Sequence, residues 1–348
     1  MLFSEKQVVG LDIGSSLIKA FQIAETKKGF RLLKFAVKDV VPDAIVDGAI
    51  MDSASVVQAI KEILKEMKIK KSLVSTAIAG HSVIVKRINV NKMTEDELRE
   101  AISLEAEQYI PFGIDDVNMD FHIIGDSKAI EGQMEIILAA AKKEQINEYS
   151  NLIRETGLMP VIVDLAAFAL QNCYEANYEE EDGKTIAIVS IGASSINTNI
   201  LKNRISSFVR DIPLGGKQYT EAIQKELQLS FSEAEKLKKS SSPQGGVPPE
   251  IEGILNGVSE EICQEIKRSF DFFKTQTSEA DVDKIYLCGG SSKVFGLDKI
   301  LSSRIGIEVS MLDPFRRVKI DEKSKDFQLL KEIAPMSGIG VGLAIRKF

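Results

Sequence analysis

"VVGLDIGSSLIKAFQI", residues 8–23, and "IAIVSIGASSINTNIL", residues 186–201, are the two stretches from which the fold is read. Each opens on an apolar run, turns on glycine and serine, and returns as a second strand, the pattern of a hairpin with a polar turn. One register puts Asp12 over Ser190, Gly14 over Gly192, Ser16 over Ser194 and Ile18 over Ile196. A single such hairpin calls for no explanation beyond its turn. Two in one register point to a duplicated unit. A tight Gly/Ser turn also exposes successive backbone N–H groups, which suit phosphate oxygens. Two of these turns, facing each other from similar domains, can grip a triphosphate from both sides.

Outward from the first hairpin, residues 30–40 alternate as a third strand, 53–69 carry apolar residues at helical spacing, and 72–80 return to a strand. From residue 82 the pattern changes. A strand at 82–90 is followed by a Thr94/Glu97 capping box opening a helix over 95–109, strands at 117–125 and 133–141, and a helix ending at Gly157. This block reads as an inserted β-α-β-β-α module. Residues 158–165 resume as a strand, a helix runs to about 177, and the acidic "YEEEDGK" (178–184) reads as a solvated boundary turn. The second half repeats the opening plan: the hairpin, a strand at 204–216, helices at about 217–229 and 231–239, a Ser/Pro/Gly loop at 240–250, a long helix at 251–276 and a strand-turn-helix at 283–301. "PMSGIGVGLAIR" (335–346) closes the chain as a helix of small residues able to pack closely against another element.

At 348 residues, with 44% hydrophobic and 27% charged residues, the chain has the length and composition of a globular protein of about two domains. A net charge of -7 without a Lys/Arg stripe argues against nucleic acid as a partner. Three scattered cysteines without a CxxC pair suit a reducing compartment, with no metal cluster. No leader-like segment and no run of the ~18 apolar residues needed for a span is seen, so a cytoplasmic location without direct membrane insertion is expected.

The chemistry concentrates in the turns. Asp12, at a strand end, can hold Mg2+ through water, and Lys19, on the second strand, can reach the β- or γ-phosphate. The turn "CGGSSK" (288–293) lets a base or ribose approach Gly289 and Gly290, "PLGG" (213–216) adds a bare turn before a helix, and Glu235 and Lys238, three apart on a helix, can hydrogen-bond a ribose and an adenine. His81 and His122 are isolated, and no Walker A loop, nucleophile elbow or metal-ligand cluster is present.

Together, DxGSSxxxK at Asp12–Lys19, the second glycine hairpin, "GG" before a helix, "AEKLK" (234–238) and "CGGSS" resemble the actin-like ATPase superfamily, which includes sugar kinases, heat-shock chaperones, actin and the division protein FtsA. Within it, "EAEQYIPFGIDDVNMDFHIIG" (105–125) and the closing "GIGVGLAIR" are similar to the PilM family of type IV pilus assembly proteins. The resemblance implies an α/β fold of two lobes around a nucleotide cleft, with an FtsA-like inserted subdomain on the first lobe. The expected division is a first-lobe core (1–81, 160–183 and 330–348), the insert (82–159), a second-lobe core (184–217 and 281–329) and a second-lobe cap (218–280).

The resemblance further implies ATP and Mg2+ in the cleft. Asp12, Gly14, Ser15, Ser16 and Lys19 form the first phosphate loop, and Gly192, Ala193, Ser194 and Ser195 the second. Gly215, Gly216, Glu235, Lys238, Gly289, Gly290 and Ser291 surround the nucleoside. Asp164 matches an acidic residue near the Mg2+ water shell. It also implies a seat beneath the inner membrane, peripheral and through a partner: the N-terminal cytoplasmic tail of PilN, alongside other pilus assembly proteins, with self-association left open. The tail is expected in a groove between first lobe and insert, near Tyr109, Ile110, Pro111 and Phe112. Ser190 departs from the superfamily, which usually has Asp there, so hydrolysis is expected to be slow or absent. A sugar or acetate kinase would need a substrate cleft with a catalytic Asp base. An FtsA-like division protein would need a C-terminal membrane helix, and none is expected before Phe348.

Overall fold

The structure, a computed structural model, describes residues 8–127, 129–241, 247–277 and 281–347. The ends of the expected first lobe (1–7 and 348), residues 242–246 of the Ser/Pro/Gly loop and residues 278–280 of the expected cap lie outside the described residues.

The first hairpin forms as β1 (Val8–Ile13) and β2 (Leu17–Thr26), continued by β3 (Gly29–Asp39) and the short pair β4 (Ile45–Val46) and β5 (Ala49–Ile50). Helix α1 (Ser53–Glu66) follows, its Asp52 cap accepting the Ser55 N–H and its Val56, Val57, Ile60, Ile63 and Leu64 buried at helical spacing. Then come β6 (Leu73–Ile78), β7 (Val83–Asn91), α2 (Glu95–Ala106), β8 (Val117–Asp126), β9 (Gln133–Lys142), α3 (Lys143–Glu155), β10 (Met159–Leu165) and α4 (Ala166–Asn177). The Thr94/Glu97 capping box opens α2. The second half contains β11 (Thr185–Ile191), β12 (Ile196–Lys202), β13 (Ile205–Ile212), α5 (Gly216–Leu227), α6 (Phe231–Ser240), α7 (Pro249–Thr277), β14 (Lys284–Cys288), α8 (Leu297–Ile305), β15 (Glu308–Met311), α9 (Phe327–Ile333) and α10 (Gly338–Ala344).

The duplication is one of topology as well as of motif. One sheet has the order β3-β2-β1-β6-β10 and the other β13-β12-β11-β14-β15, each an antiparallel meander with two parallel strands added beyond its first strand. Parallel neighbours need a crossover, here a helix. In the second lobe α8 supplies it between β14 and β15. In the first, α3 occupies the same place between β6 and β10, after the three-stranded insert sheet β7-β9-β8. Helix α3, placed within the insert at 82–159 by the sequence, buries Tyr149, Leu152 and Ile153 in the first-lobe core with Ile60 and Val74.

Residues 178–184 likewise form more than a solvated turn. Tyr178 is buried between the lobes, and Glu181 accepts a hydrogen bond from the Tyr286 hydroxyl at 2.7 Å. All three cysteines are free and buried.

Between the two sheets lies a third core that joins Phe21 of the first lobe and Ile188 of the second through α4 and α10. The glycines of α10 permit a contact closer than side chains allow. A Cβ on Gly342 would lie 1.7 Å from the Ala169 carbonyl oxygen, and one on Gly10 of β1 would lie 2.4 Å from both Gly340 O and Ala344 N. Gly342→Ala is therefore expected to destabilise the protein by about 3 kcal/mol or more. Gly253→Ala, in α7 where an added Cβ meets nothing within 4 Å, should stabilise it by up to about 1 kcal/mol. Urea denaturation of the two variants beside the parent measures both.

Candidate functional site

The two glycine-serine turns meet across the lobes. Each closes on itself by the same bond: Gly14 N–H donates to the Leu17 carbonyl at 3.1 Å and Gly192 N–H to the Ser195 carbonyl at 2.8 Å. The Ser15 and Ser194 hydroxyls are hydrogen-bonded to each other at 3.0 Å. Behind them opens a cavity of about 1430 Å3.

Most of the residues singled out from sequence converge on this cavity. Asp12, Gly14, Ser15, Ser16 and Lys19 line it from the first lobe, and Gly192, Ala193, Ser194 and Ser195 from the second. Glu235, Lys238, Gly289, Gly290 and Ser291 complete its far side. Gly215 and Gly216 stand behind the second turn, where the Gly216 and Lys217 N–H groups donate to the carbonyls of Gly192 and Ala193 at 2.9 and 2.8 Å. A Cβ on Gly215 would lie 2.7 Å from the Gly192 oxygen, so bare backbone is what lets the N-terminus of α5 press against the turn. Ser291 Oγ donates to the same Gly192 oxygen at 2.8 Å.

Asp12 and Lys19 are direct cross-strand partners on β1 and β2, and their side chains form a buried ion pair at 2.9 Å. At the equivalent place in the second lobe, Ser190 is buried at the cavity wall. Burial pushes its neighbour, the Cys288 thiol, up to about 12, against the opposing hydrogen bond from Ser190. On α6, Lys238 pairs with Glu235 at 2.6 Å and donates to the Gly216 carbonyl and Thr220 Oγ1, both at 2.9 Å. Burial raises the Glu235 carboxyl, but the hydrogen bonds from Lys238 and Thr220 outweigh it and hold the group below the usual carboxylate range.

Asp164 and the stretch Tyr109–Phe112 do not line this cavity. The Asp164 Oδ1 accepts the Leu165 N–H at 2.8 Å and its Oδ2 faces Arg346 Nε at 3.1 Å. The pair ties the segment after α10 to the end of β10. Burial raises its pKa, with Arg346 and the Leu165 N–H opposing. The stretch Tyr109–Phe112 packs the insert's own core. Ile110 is buried with Leu98 and Ile102, Tyr109 and Phe112 lie against them, Pro111 is exposed, and the Lys142 ammonium sits 4.6 Å above the Phe112 ring. Val37–Asp39 and Asp47 of the first lobe and Val83–Lys86 of β7 also line the cavity.

The sequence reading also passed over a polar cluster joining the lobes. Asp211, near the end of β13, accepts from Asn197 Nδ2 through Oδ1 and from the Gly80 N–H through Oδ2, each at 2.5 Å. Burial raises the Asp211 carboxyl against the lowering effect of these two donors. The available signal was the run Asn197-Thr198-Asn199 inside an otherwise apolar strand, all three being buried.

Among the described residues no group of three or more His, Cys, Asp or Glu side chains could hold a metal ion, and no helix is long and apolar enough to cross a membrane. A divalent cation at this site would rest on Asp12 and on oxygens from a ligand and water, a donor set that suits Mg2+.

The family model described as type IV pilus assembly protein PilM matches residues 10–348. The chain belongs to the PilM family. A solved PilM-PilN type IV pilus biogenesis complex contains a chain 31% identical to this PilM-family protein, with a TM-score of 0.87 and 98% of each chain covered. The actin-like fold is shared more widely: with the ethanolamine utilization protein EutJ of Carboxydothermus hydrogenoformans (TM-score 0.59, 15% identity, 97% of this chain and 89% of that one) and with MreB5 of Spiroplasma citri bound to AMPPNP (0.52, 14%, 97% and 94%). The cell division protein FtsA of Bacillus subtilis is 24% identical over 66% of this chain, a match that spans 57% of FtsA.

Removing Lys19 leaves Asp12 buried beside no cation. Lys19→Met is expected to cost about 3 kcal/mol of stability, and adding Asp12→Leu to recover much of it. A double-mutant cycle by urea denaturation in the absence of nucleotide measures the coupling.

Proposed function

We propose that this PilM-family protein is an ATP-binding scaffold of the type IV pilus assembly machinery, which holds the N-terminal tail of a PilN-type inner-membrane partner and turns ATP over slowly or not at all. The observation that carries the nucleotide reading is the meeting of two in-register glycine-serine turns across a 1430 Å3 cleft, with the Asp12–Lys19 pair at its floor. Gly14 to Ser16 and Gly192 to Ser195 would hold the phosphates, and the nucleoside would lie toward Glu235, Lys238 and the Gly289–Ser291 turn. Lys19 would exchange Asp12 for a phosphate oxygen, freeing the carboxylate for the water shell of Mg2+. The Ser15–Ser194 bond must open to admit a triphosphate.

Slow turnover follows from Ser190, whose neutral hydroxyl stands near the end of β11, just before the second turn, where a carboxylate would orient water and balance the metal. The partner reading is supported by the whole-length relation to the PilM chain of a PilM-PilN complex. An extended tail can bind by main-chain hydrogen bonds with alternate side chains in pockets. Its place in this reading is the groove between Val37–Asp39 and β7, and attachment to the membrane is borrowed from the partner.

Calorimetry should show Mg-ATP binding that weakens about 10- to 150-fold in Lys19→Ala, the equivalent of ~1.5–3 kcal/mol for a charge-assisted contact. Equal affinity in a folded variant would make the first turn merely structural. Single-turnover assays should find hydrolysis far below ~1 s⁻¹, with Ser190→Asp raising it, whereas brisk hydrolysis by the parent would overturn the holding role. A labelled PilN N-terminal peptide should bind the folded protein, and absence of binding with and without ATP would remove the scaffold reading.

A further inference from the structure

The insert belongs to one lobe by its chain and is tied to the other by contact. Its two connections, after β6 and into α3, both lead to the first lobe. Just before β7, the Gly80 N–H of the first lobe donates to Asp211 of the second lobe. Further along β7, Arg87 Nη1 donates to Ser207 Oγ on β13 at 3.2 Å. Arg87 is itself held by Glu135 on β9, at 2.6 Å through Nη2 and 2.5 Å through Nε, so the contact transmits force to the insert sheet and not to one loose side chain. β7 and β13 are each an edge strand of a different sheet, joined here by side chains.

We propose that Asp211, seconded by the Arg87–Ser207 contact, is a latch that couples the separation of the two lobes to the position of the insert. Lobes that move apart around α4 and α10 must break the Asp211–Gly80 bond, and must either break the Arg87–Ser207 bond or drag the insert with the second lobe. The latch lies on the wall of the same cavity as the phosphate turns: Gly80, Asn197 and Asp211 line it. A ligand that opens the Ser15–Ser194 contact therefore acts on the latch, and the groove between first lobe and β7 changes with it. Asp211 suits this task because its two oxygens face different lobes. Oδ1 is committed to Asn197, its cross-strand partner on β12, which fixes the direction in which Oδ2 reaches Gly80. The regulatory consequence rests on the nucleotide and partner assignments proposed above, and the latch itself rests on geometry alone.

The test uses the full chain. Affinity for the PilN-tail peptide is measured with and without saturating Mg-ATP in the parent, Asp211→Ala and Ser207→Ala, and ATP affinity with and without the peptide. Linkage requires the two ratios to agree. The parent is expected to show a ratio differing from one by about fivefold or more, and Asp211→Ala to bring it toward one, with Ser207→Ala intermediate. A parent ratio of one with both ligands bound, or a ratio unchanged in a folded Asp211→Ala, overturns the proposal. Hydrogen exchange without any ligand separates this outcome from failure of the functional assignment. Residues 79–91 should lose protection in Asp211→Ala and less so in Ser207→Ala, and unchanged protection in both would overturn the latch whatever the chain binds.

Discussion

The backbone of α10 lies directly on β1 and on α4, and the arrangement of the two lobes depends on that contact. Side chains at Gly10, Gly340 or Gly342 would hold these elements apart, since their Cβ positions overlap main-chain atoms or the Phe21 ring. With glycine there, α4 and α10 fit between two sheets of the same topology, and apolar residues of both lobes share one core. Close packing of this kind resists gradual deformation, so relative movement of the lobes is expected as a shift between discrete arrangements. Arg346, paired with the buried Asp164, fastens the segment that follows α10 to the end of β10.

What this centre positions is a cleft whose charges are mostly satisfied internally. Asp12 is held by Lys19, and Glu235 by Lys238 and Thr220. Such pairs keep charged groups at a buried wall without the penalty of an isolated charge. The second turn differs because Ser190 brings no charge. Its environment, a buried wall beside the Cys288 thiol, would make an added carboxylate costly unless a cation accompanied it.

The sequence by itself determined the duplicated hairpins, the strand and helix periodicities around them, and the local chemistry of the glycine-serine turns. These features are short-range: alternation marks a strand, Thr94 and Glu97, three residues apart, cap the helix they open, and Asp12 and Lys19 are brought together by a tight turn. Repetition of one motif in register was enough to indicate two similar lobes. Only the tertiary structure decided matters that join residues far apart along the chain. It placed α3 in the first-lobe core, because parallel β6 and β10 require a crossover between them. It turned Asp164 toward Arg346 and folded Tyr109–Phe112 into the insert's own core, since burial depends on which apolar faces meet and neither partner is signalled by spacing. It also brought Asp211 to Gly80 across 131 residues of sequence, through a hydrogen bond to a backbone N–H, a donor that every residue but proline carries and that no sequence pattern can single out.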